Sequence, residues 1–296
     1  MYVIIATSSR LQLLRRTLNS LSKCNFPQDF QEIIVIENGE KVCDQNFLRP
    51  YIEKLPIRYI YMPEANKSKA LNTAIDTISS GLIVFLDDDV RIHKDTLIAY
   101  SHIVGEMLSG RFYGGPVRVD YEKQPPAWLL RKLPASAKGW SLGEHDTIIN
   151  KACFLGLNWA AFATDLQKVG GFNVTMGPGS ASRGDGEETN MQRRLLQSGL
   201  QGIYVARAEV WHYVPQHRCT PEWTISKAKR LGVAAGIENR DNKSVEKRIR
   251  LIRAALIYSL SSVITELLDR NKIDKKVGFR WRIRKHYYHG FLLAGP

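Results

Sequence analysis

Three consecutive carboxylates, Asp87-Asp88-Asp89, follow directly on the apolar run Leu82-Ile83-Val84-Phe85-Leu86. Side by side they repel, so a positive group must offset them. Hard oxygen ligands suit Mg2+ or Mn2+, and either ion can also bind a diphosphate. The same residues would serve as a solvated acidic turn or a helix start, where Asp is a favoured cap. A second acidic pair, Glu187-Glu188, follows Gly186 at the head of a helical pattern. A carboxylate there can take a proton as a general base, or it can complement the positive end of the helix dipole. Asp185 competes with both for the first role. His212 offers a nitrogen ligand suited to Mn2+, although an isolated histidine is more often structural.

Holding such groups in place requires a framework, and the first 110 residues supply its pattern. Apolar runs at 2–6, 32–36, 57–61 and 82–86 read as strands. Helical spacing of Leu and Ala residues over 10–23, 68–78 and 96–108 lies between or after them. Strands that are apolar throughout and alternate with helices predict an α/β fold with a doubly wound, mostly parallel sheet. In such sheets ligands bind beyond the carboxyl ends of the strands, where Asp87 stands. From Tyr113 the rhythm breaks into a long irregular stretch over 120–150. Order returns at 153–163, 187–197 and 202–205, and helices are expected over 222–236 and 245–269. Three regions follow: a βα half over 1–110, the other half of the same domain over 111–220, and a helical tail over 221–296.

The order of these motifs resembles the inverting glycosyltransferases of family 2, which have the GT-A fold. The resemblance covers about residues 2–235 and is carried by five elements in order. The segment Thr7-Ser8-Ser9-Arg10 after the first strand looks like the family's first nucleotide-binding loop. Glu37-Asn38-Gly39 stands where an acidic residue contacts the base, although Asn38-Gly39 is also a plain turn. Asn66-Lys67-Ser68-Lys69-Ala70-Leu71-Asn72 matches G-x-S-x-A-R-N with Asn66 for Gly and Leu71 for Arg. The second exchange removes a cation that Lys67 or Lys69 would have to supply, and Ser68 is equally a candidate helix cap. Asp87 and Asp89 match D-x-D. Val169-Gly170-Gly171-Phe172, Glu187-Glu188 and Arg193-Arg194-Leu195 match G-G-F, E-D and R-L.

The resemblance implies a transfer of one sugar from a nucleotide diphosphate sugar, with a UDP-sugar favoured, to a glycan or lipid-linked acceptor. It places Thr7, Arg10, Glu37, Asn38, Ser68, Lys69, Asn72, Asp87 and Asp88 at the donor. It gives Asp89, Asp87 and His212 to Mn2+ or Mg2+, and the general base to Glu188 with Glu187 beside it. Asn158 and Trp159 would border the acceptor. The Trp159 ring can stack on a sugar's apolar face or sit in the core.

The chain has 296 residues with 42 Lys and Arg against 29 Asp and Glu, a net charge of +13. Residues 221–296 hold 17 basic against 7 acidic groups, so this tail carries +10. Such a tail is drawn to anionic partners. Nucleic acid is one, with Phe279, Trp281, Tyr287 and Tyr288 set among arginines, but no nucleic-acid module is recognisable and none is expected. A sugar nucleotidyltransferase would want a glycine-rich loop after the first strand, which Thr7-Ser8-Ser9-Arg10 is not. The four cysteines form no C-x-x-C pair and suit a reduced, cytoplasmic protein. Residues 254–265 are the longest uncharged stretch of the tail, too short to cross a bilayer. Val245, Ile249, Ile252, Leu256, Leu260, Val263 and Leu267 share one helical face. That face would either pack into the core or lie on the inner surface of a membrane.

Overall fold

Runs of β-branched residues bury themselves as strands, and the strand over Leu82–Asp87 ends at the first residue of the acidic triplet. The computed structural model describes residues 1–105, 109–182, 184–240 and 245–295. In chain order the strands are β1 (Tyr2–Thr7), β2 (Glu32–Asn38), β3 (Ile57–Met62), β4 (Leu82–Asp87), β5 (Val90–Ile92), β6 (Arg111–Gly114), β7 (Val117–Tyr121), β8 (Thr147–Ile149), β9 (Asn158–Phe162), β10 (Gln201–Tyr204) and β11 (Val210–Val214). Eight of them form one sheet in the order β3-β2-β1-β4-β9-β6-β10-β8, and β5-β11-β7 form a second. β3, β2, β1 and β4 run parallel, as the alternating pattern predicts. β9 runs antiparallel between β4 and β6. That reversal brings Asn158 opposite Leu86, at the same sheet end as Asp87.

The helices are α1 (Leu11–Leu21), α2 (Gln45–Ile52), α3 (Lys67–Ile75), α4 (Thr96–Val104), α5 (Ala127–Leu130), α6 (Ala135–Lys138), α7 (Ala163–Lys168), α8 (Glu187–Gln197), α9 (Pro221–Arg240), α10 (Val245–Arg270) and α11 (Phe279–Ala294). Residues 106–108, the end of the helix expected over 96–108, lie outside the described residues. The central strands β1, β2, β4 and β9 of the main sheet are buried on both faces. Leu14, Leu18 and Leu21 of α1 pack on Val3, Ile5, Val35 and Val84, while Ala70, Ala74 and Ile75 of α3 meet Ile4, Ile34 and Phe85 on the other face. Alternate residues of each strand feed opposite layers, which is why these strands read as apolar without interruption. Thr17 of α1 accepts from the Val90 amide at 3.1 Å and donates to its carbonyl at 2.8 Å, pinning the chain just past the acidic triplet.

Two compact units emerge. The first, residues 1–120, 139–180 and 187–213, holds both clusters just described. The second, residues 121–138, 181–186 and 214–296, is helical, with α11 packed against both α9 and α10. Glycines let α9 and α11 approach closely: a Cβ on Gly232 would stand 1.9 Å from the Tyr287 carbonyl oxygen. α11 mixes cations with aromatics and shows no clean apolar period, so its separate existence escapes a pattern search.

Two expectations for the tail change. α10 is long and apolar enough, by length and composition, to cross a membrane. Counting only the uncharged stretch understated it, because Arg253 and Glu266 merely interrupt a longer apolar segment. Nor is its aliphatic face part of the core. Ala254, Ser261 and Thr265 face inward, while the seven large aliphatic residues from Val245 to Leu267 are 53–76% exposed.

Candidate functional site

The β1–α1 turn delivers the first cation. Ser9 takes a left-handed backbone, φ 52°, uncommon for a residue with a side chain. Arg10 follows it and reaches back across the acidic triplet. Its Nε donates to Asp88 Oδ2 at 3.1 Å, its Nη1 to Asp89 Oδ2 at 3.1 Å, and its Nη2 pairs with Asp88 Oδ1. Thr7 donates to Asp88 Oδ2 at 2.6 Å. Asp88 is wholly buried, and burial pushes its carboxyl up to about 7. Arg10 and Thr7 pull in the opposite direction, while Asp89 and Asp87 add to the upward push. Burial opposes the charge on Arg10, but the three carboxylates outweigh it and hold its pKa above the usual value. Asp88 is therefore the buried anchor of the β1 loop.

Asp87 faces elsewhere. Lys67, the first residue of α3, donates from Nζ to Asp87 Oδ1 at 2.7 Å and lies 3.4 Å from Glu187 Oε1. Burial works against the Lys67 charge, but Asp87 and then Glu187 outweigh it and raise its pKa. One ammonium thus joins the acid at the end of β4 to the acid at the start of α8. Lys69 pairs instead with Glu64 at the surface. Of the two lysines that could replace the cation lost at Leu71, Lys67 is the one among the carboxylates.

Asp87, Lys67, Glu187 and Glu188 line one narrow cleft, with Trp159 and Phe172 among its apolar walls. Trp159 is 1% exposed and stacked on Phe85 at 4.7 Å, with Phe172 edge-on at 6.0 Å. Glu187 is buried and held beside Lys67. Glu188 is partly exposed and lies against Gly156, where an added Cβ would stand 3.1 Å from its carboxyl carbon. Asp185, the third acid of this stretch, belongs to the helical unit. It pairs with Lys227 at 3.1 Å and Arg230 at 2.8 Å.

The fit of a divalent cation can be tested on His212 and Asp89. Both are almost fully buried, and His212 Nε2 lies 3.4 Å from Asp89 Oδ1. Two ligand atoms each about 2.1 Å from one ion stand about 3.0–3.4 Å apart for right-angled to tetrahedral geometry. The pair therefore has the spacing and the mixed O,N chemistry for an ion of the Mn2+ type. Among the described residues no three His, Cys, Asp or Glu side chains already converge as a complete metal cage. Asp87, held by Lys67, would have to turn to complete one.

Several residues expected at the site are placed otherwise. Glu37 is wholly buried and accepts from the Val42 and Cys43 amides at 3.0 and 3.1 Å and from the Tyr59 hydroxyl at 2.5 Å. It braces the 42–43 loop and presents no surface to a base. Asn38 donates to the Thr7 carbonyl at 2.9 Å, tying β2 to the β1 loop. Asn158 is wholly buried, accepting from Tyr100 at 2.8 Å and donating to the Pro116 and Ala208 carbonyls at 3.0 and 2.7 Å. Its side-chain oxygen and nitrogen are both bonded inside the protein, so it ties strands together in the interior. Asn66, not Ser68, caps α3 by accepting from the Lys69 amide at 3.0 Å. Ser68 donates to the Met176 carbonyl at 2.8 Å. Asn72 bonds both the amide and the carbonyl of Phe172, at 2.6 and 2.9 Å, and so fastens the G-G-F turn to α3.

Sequence reading missed the supports of α8. Gln192 accepts from the Phe154 amide and donates to its carbonyl, both at 3.0 Å, fixing the loop that passes Glu188. Arg194 donates to the Val169 and Gly171 carbonyls at 2.6 and 2.5 Å. Arg194 lay within a recognised motif; Gln192 gave no signal, because an interior Gln is defined only by the backbone it meets.

The family model described as Glycosyl transferase family 2 matches residues 2–154. A validoxylamine A glucosyltransferase of Streptomyces hygroscopicus subsp. limoneus is 25% identical over 249 residues, covering 76% of this chain and 53% of its own length. The chain thus spans about half the length of the curated relatives it matches. Among solved structures, the mannosyltransferase PcManGT from Pyrobaculum calidifontis, in complex with GDP-Man and Mn2+, aligns with a TM-score of 0.61 at 18% identity. That alignment covers 99% of this chain and 86% of that one. S. aureus TarS in complex with UDP-GlcNAc aligns with a TM-score of 0.52 at 14% identity, covering 98% and 90%. At these identities the likeness is one of fold.

Proposed function

The chain belongs to glycosyl transferase family 2, and from that premise we propose that it transfers one sugar from a nucleotide diphosphate sugar to a hydroxyl acceptor, with metal dependence and inversion. The observation that carries this reading is the Lys67 bridge. It joins Asp87 at the carboxyl end of β4 to Glu187 at the head of α8, in one cleft that Glu188 also lines. The bound ligands of the structural neighbours, GDP-Man with Mn2+ in one and UDP-GlcNAc in another, support a nucleotide-sugar donor. A UDP-sugar is the first donor to try, and the acceptor class is a glycan or a lipid-linked saccharide met at a cytoplasmic membrane face.

Asp89 and His212 would hold a divalent ion, with Asp87 as third ligand or as partner of the donor. Bound there, the ion would neutralise charge on the departing diphosphate. Lys67 offers a second positive group at the same place, and Arg10 keeps the triplet from repelling itself apart. Glu188 is the general base. Glu187 is buried against Lys67, whereas Glu188 reaches the cleft with part of its surface exposed. Its carboxylate takes the proton of the acceptor hydroxyl as that oxygen attacks the anomeric carbon. The bond from that carbon to the diphosphate oxygen breaks on the opposite face, so a single displacement inverts the centre. No covalent enzyme intermediate is required.

The test is nucleotide release over a panel of sugar nucleotides, with and without Mn2+, for the wild type and Asp89→Ala. The expected result is turnover with at least one donor, stimulated by Mn2+ and absent in a folded Asp89→Ala protein. Normal Mn2+-dependent turnover by Asp89→Ala would remove the metal assignment. No turnover or donor binding across the panel would remove the enzymatic one.

A further inference from the structure

α10 is built inside out for a helix of a water-soluble unit. Its inward face carries Ala254, Ser261 and Thr265, and the buried Ser261 hydroxyl finds no hydrogen-bond partner among the described residues. Its outward face carries Val245, Ile249, Ile252, Leu256, Leu260, Val263 and Leu267, every one more than half exposed. Soluble helices place such residues the other way round. A contiguous apolar strip of this size marks a contact surface.

The spacing of the strip sets its shape. Val245 and Val263 are eighteen residues apart, five full helical turns, so they stand on the same line along the axis. The residues between them stay within about 60° of that line at 100° per residue. A strict seven-residue repeat would drift around the helix and wind two copies into a left-handed coil. Here the four-residue step from Leu256 to Leu260 cancels the drift. The strip is straight, and a straight strip suits a flat surface along its whole length.

Charge selects the surface. Arg248 and Arg253 are exposed on opposite flanks of the strip, with Arg250 nearby. The loop after α10 exposes Ile273 and Val277 among Lys272, Lys275 and Lys276. Residues 245–296 carry 12 basic against 4 acidic groups. A second copy would bring the same cations to the same strip, whereas anionic lipid would neutralise them. A bilayer-spanning α10 would have to give up its inner face. That face is held by Tyr258 stacked on His289 at 5.6 Å and by the Arg282–Asp269 pair at 2.6 Å. It packs on α11, which adds Arg280, Arg284 and Lys285 to the same helical unit.

We infer that α10 lies flat in the interface of an anionic bilayer, its Val245-to-Leu267 strip among the acyl chains and its Ala254/Ser261/Thr265 face still docked on α11. The residues that meet lipid are Ile249, Ile252, Leu256, Leu260 and Val263, with Arg248 and Arg253 at headgroup level on either side.

The experiment is co-sedimentation of the full chain with vesicles of phosphatidylcholine alone and of equal parts phosphatidylcholine and phosphatidylserine. It compares wild type with Ile252→Ser/Leu256→Ser and with Arg248→Gln/Arg253→Gln. All four positions are exposed, so far-UV circular dichroism should be unchanged. The wild type is expected to partition at least about tenfold more strongly onto the phosphatidylserine vesicles, to remain monomeric in solution, and to be released by an alkaline carbonate wash. The serine pair is expected to lose about tenfold or more in partitioning, and the glutamine pair to lose the preference for phosphatidylserine. Four results would overturn the inference. The first is no binding to either vesicle, and the second is equal binding by the wild type and the serine pair. The third is a stable dimer that the serine pair dissolves, which would make a second copy the occupant. The fourth is retention after carbonate, which would make α10 a span.

Discussion

Replacing Lys67 by Met keeps the length of the side chain and removes its charge. In the wild type, Nζ sits 2.7 Å from Asp87 Oδ1 and 3.4 Å from Glu187 Oε1. A hydrogen bond to a charged group contributes about 1.5–3 kcal/mol, and the longer contact adds less. Stranding a buried charge costs about 3–5 kcal/mol. Here the Lys67 and Asp87 side chains are 19% and 23% exposed, so water reaches both and lowers the cost. The expected loss is about 2–3 kcal/mol, a fall in melting temperature of roughly 4–12 °C for a domain of this size. On the proposed reading the same cation faces the diphosphate, so affinity for the nucleotide sugar should fall about 10–100-fold, equivalent to about 1.4–2.8 kcal/mol. Lys69→Met is the control. Its partner Glu64 is exposed, and stability should change by less than about 0.5 kcal/mol with donor affinity untouched. Thermal melts by circular dichroism and donor titration by calorimetry measure both quantities. Wild-type melting and donor binding in Lys67→Met, or a larger loss of affinity in Lys69→Met, would refute the assignment of Lys67 as the bridging cation.

Glu188→Gln should keep donor affinity and lower transfer by about 10²–10⁴-fold, the usual contribution of a general base; a near-normal rate together with an inactive Glu187→Gln would move the base to the neighbour. Asn158→Ala should cost about 3–6 kcal/mol in urea unfolding, since it strips partners from Tyr100, Pro116 and Ala208 in the interior. Wild-type stability with a raised acceptor KM would instead return Asn158 to the acceptor pocket. Burial alone would raise the Asp185 carboxyl, but Lys227 and Arg230 outweigh it and hold it below its ordinary value of 3.8. Because the folded value is the lower one, Asp185 contributes stability above about pH 4, lost as pH falls through the folded value. Asp185→Asn should flatten the acid side of the stability curve, and an unchanged slope there would show that the two ion pairs contribute nothing.

The sequence alone determined the parallel half of the sheet, the place of the acidic triplet and the order of the motifs. Strands buried on both faces must be apolar throughout, and helices packed on them must repeat their apolar residues each turn, so β1, β2, β4, α1 and α3 announce themselves. Asp87 stands out because a carboxylate beyond a buried strand has few structural uses. What a polar side chain does inside a fold depends on partners far away in the chain. Glu37 closes on Tyr59, Asn158 on Tyr100 and Ala208, and Gln192 on Phe154, at separations no spacing rule encodes. Lys67 and Lys69 are indistinguishable by type and lie two apart, yet helix geometry turns them about 200° from each other, one to the acids and one to Glu64. The aliphatic stripe of α10 was visible by periodicity, but periodicity marks a face without saying what it meets. Only the packing of Ala254, Ser261 and Thr265 against the rest of the helical unit decided that the large residues point outward.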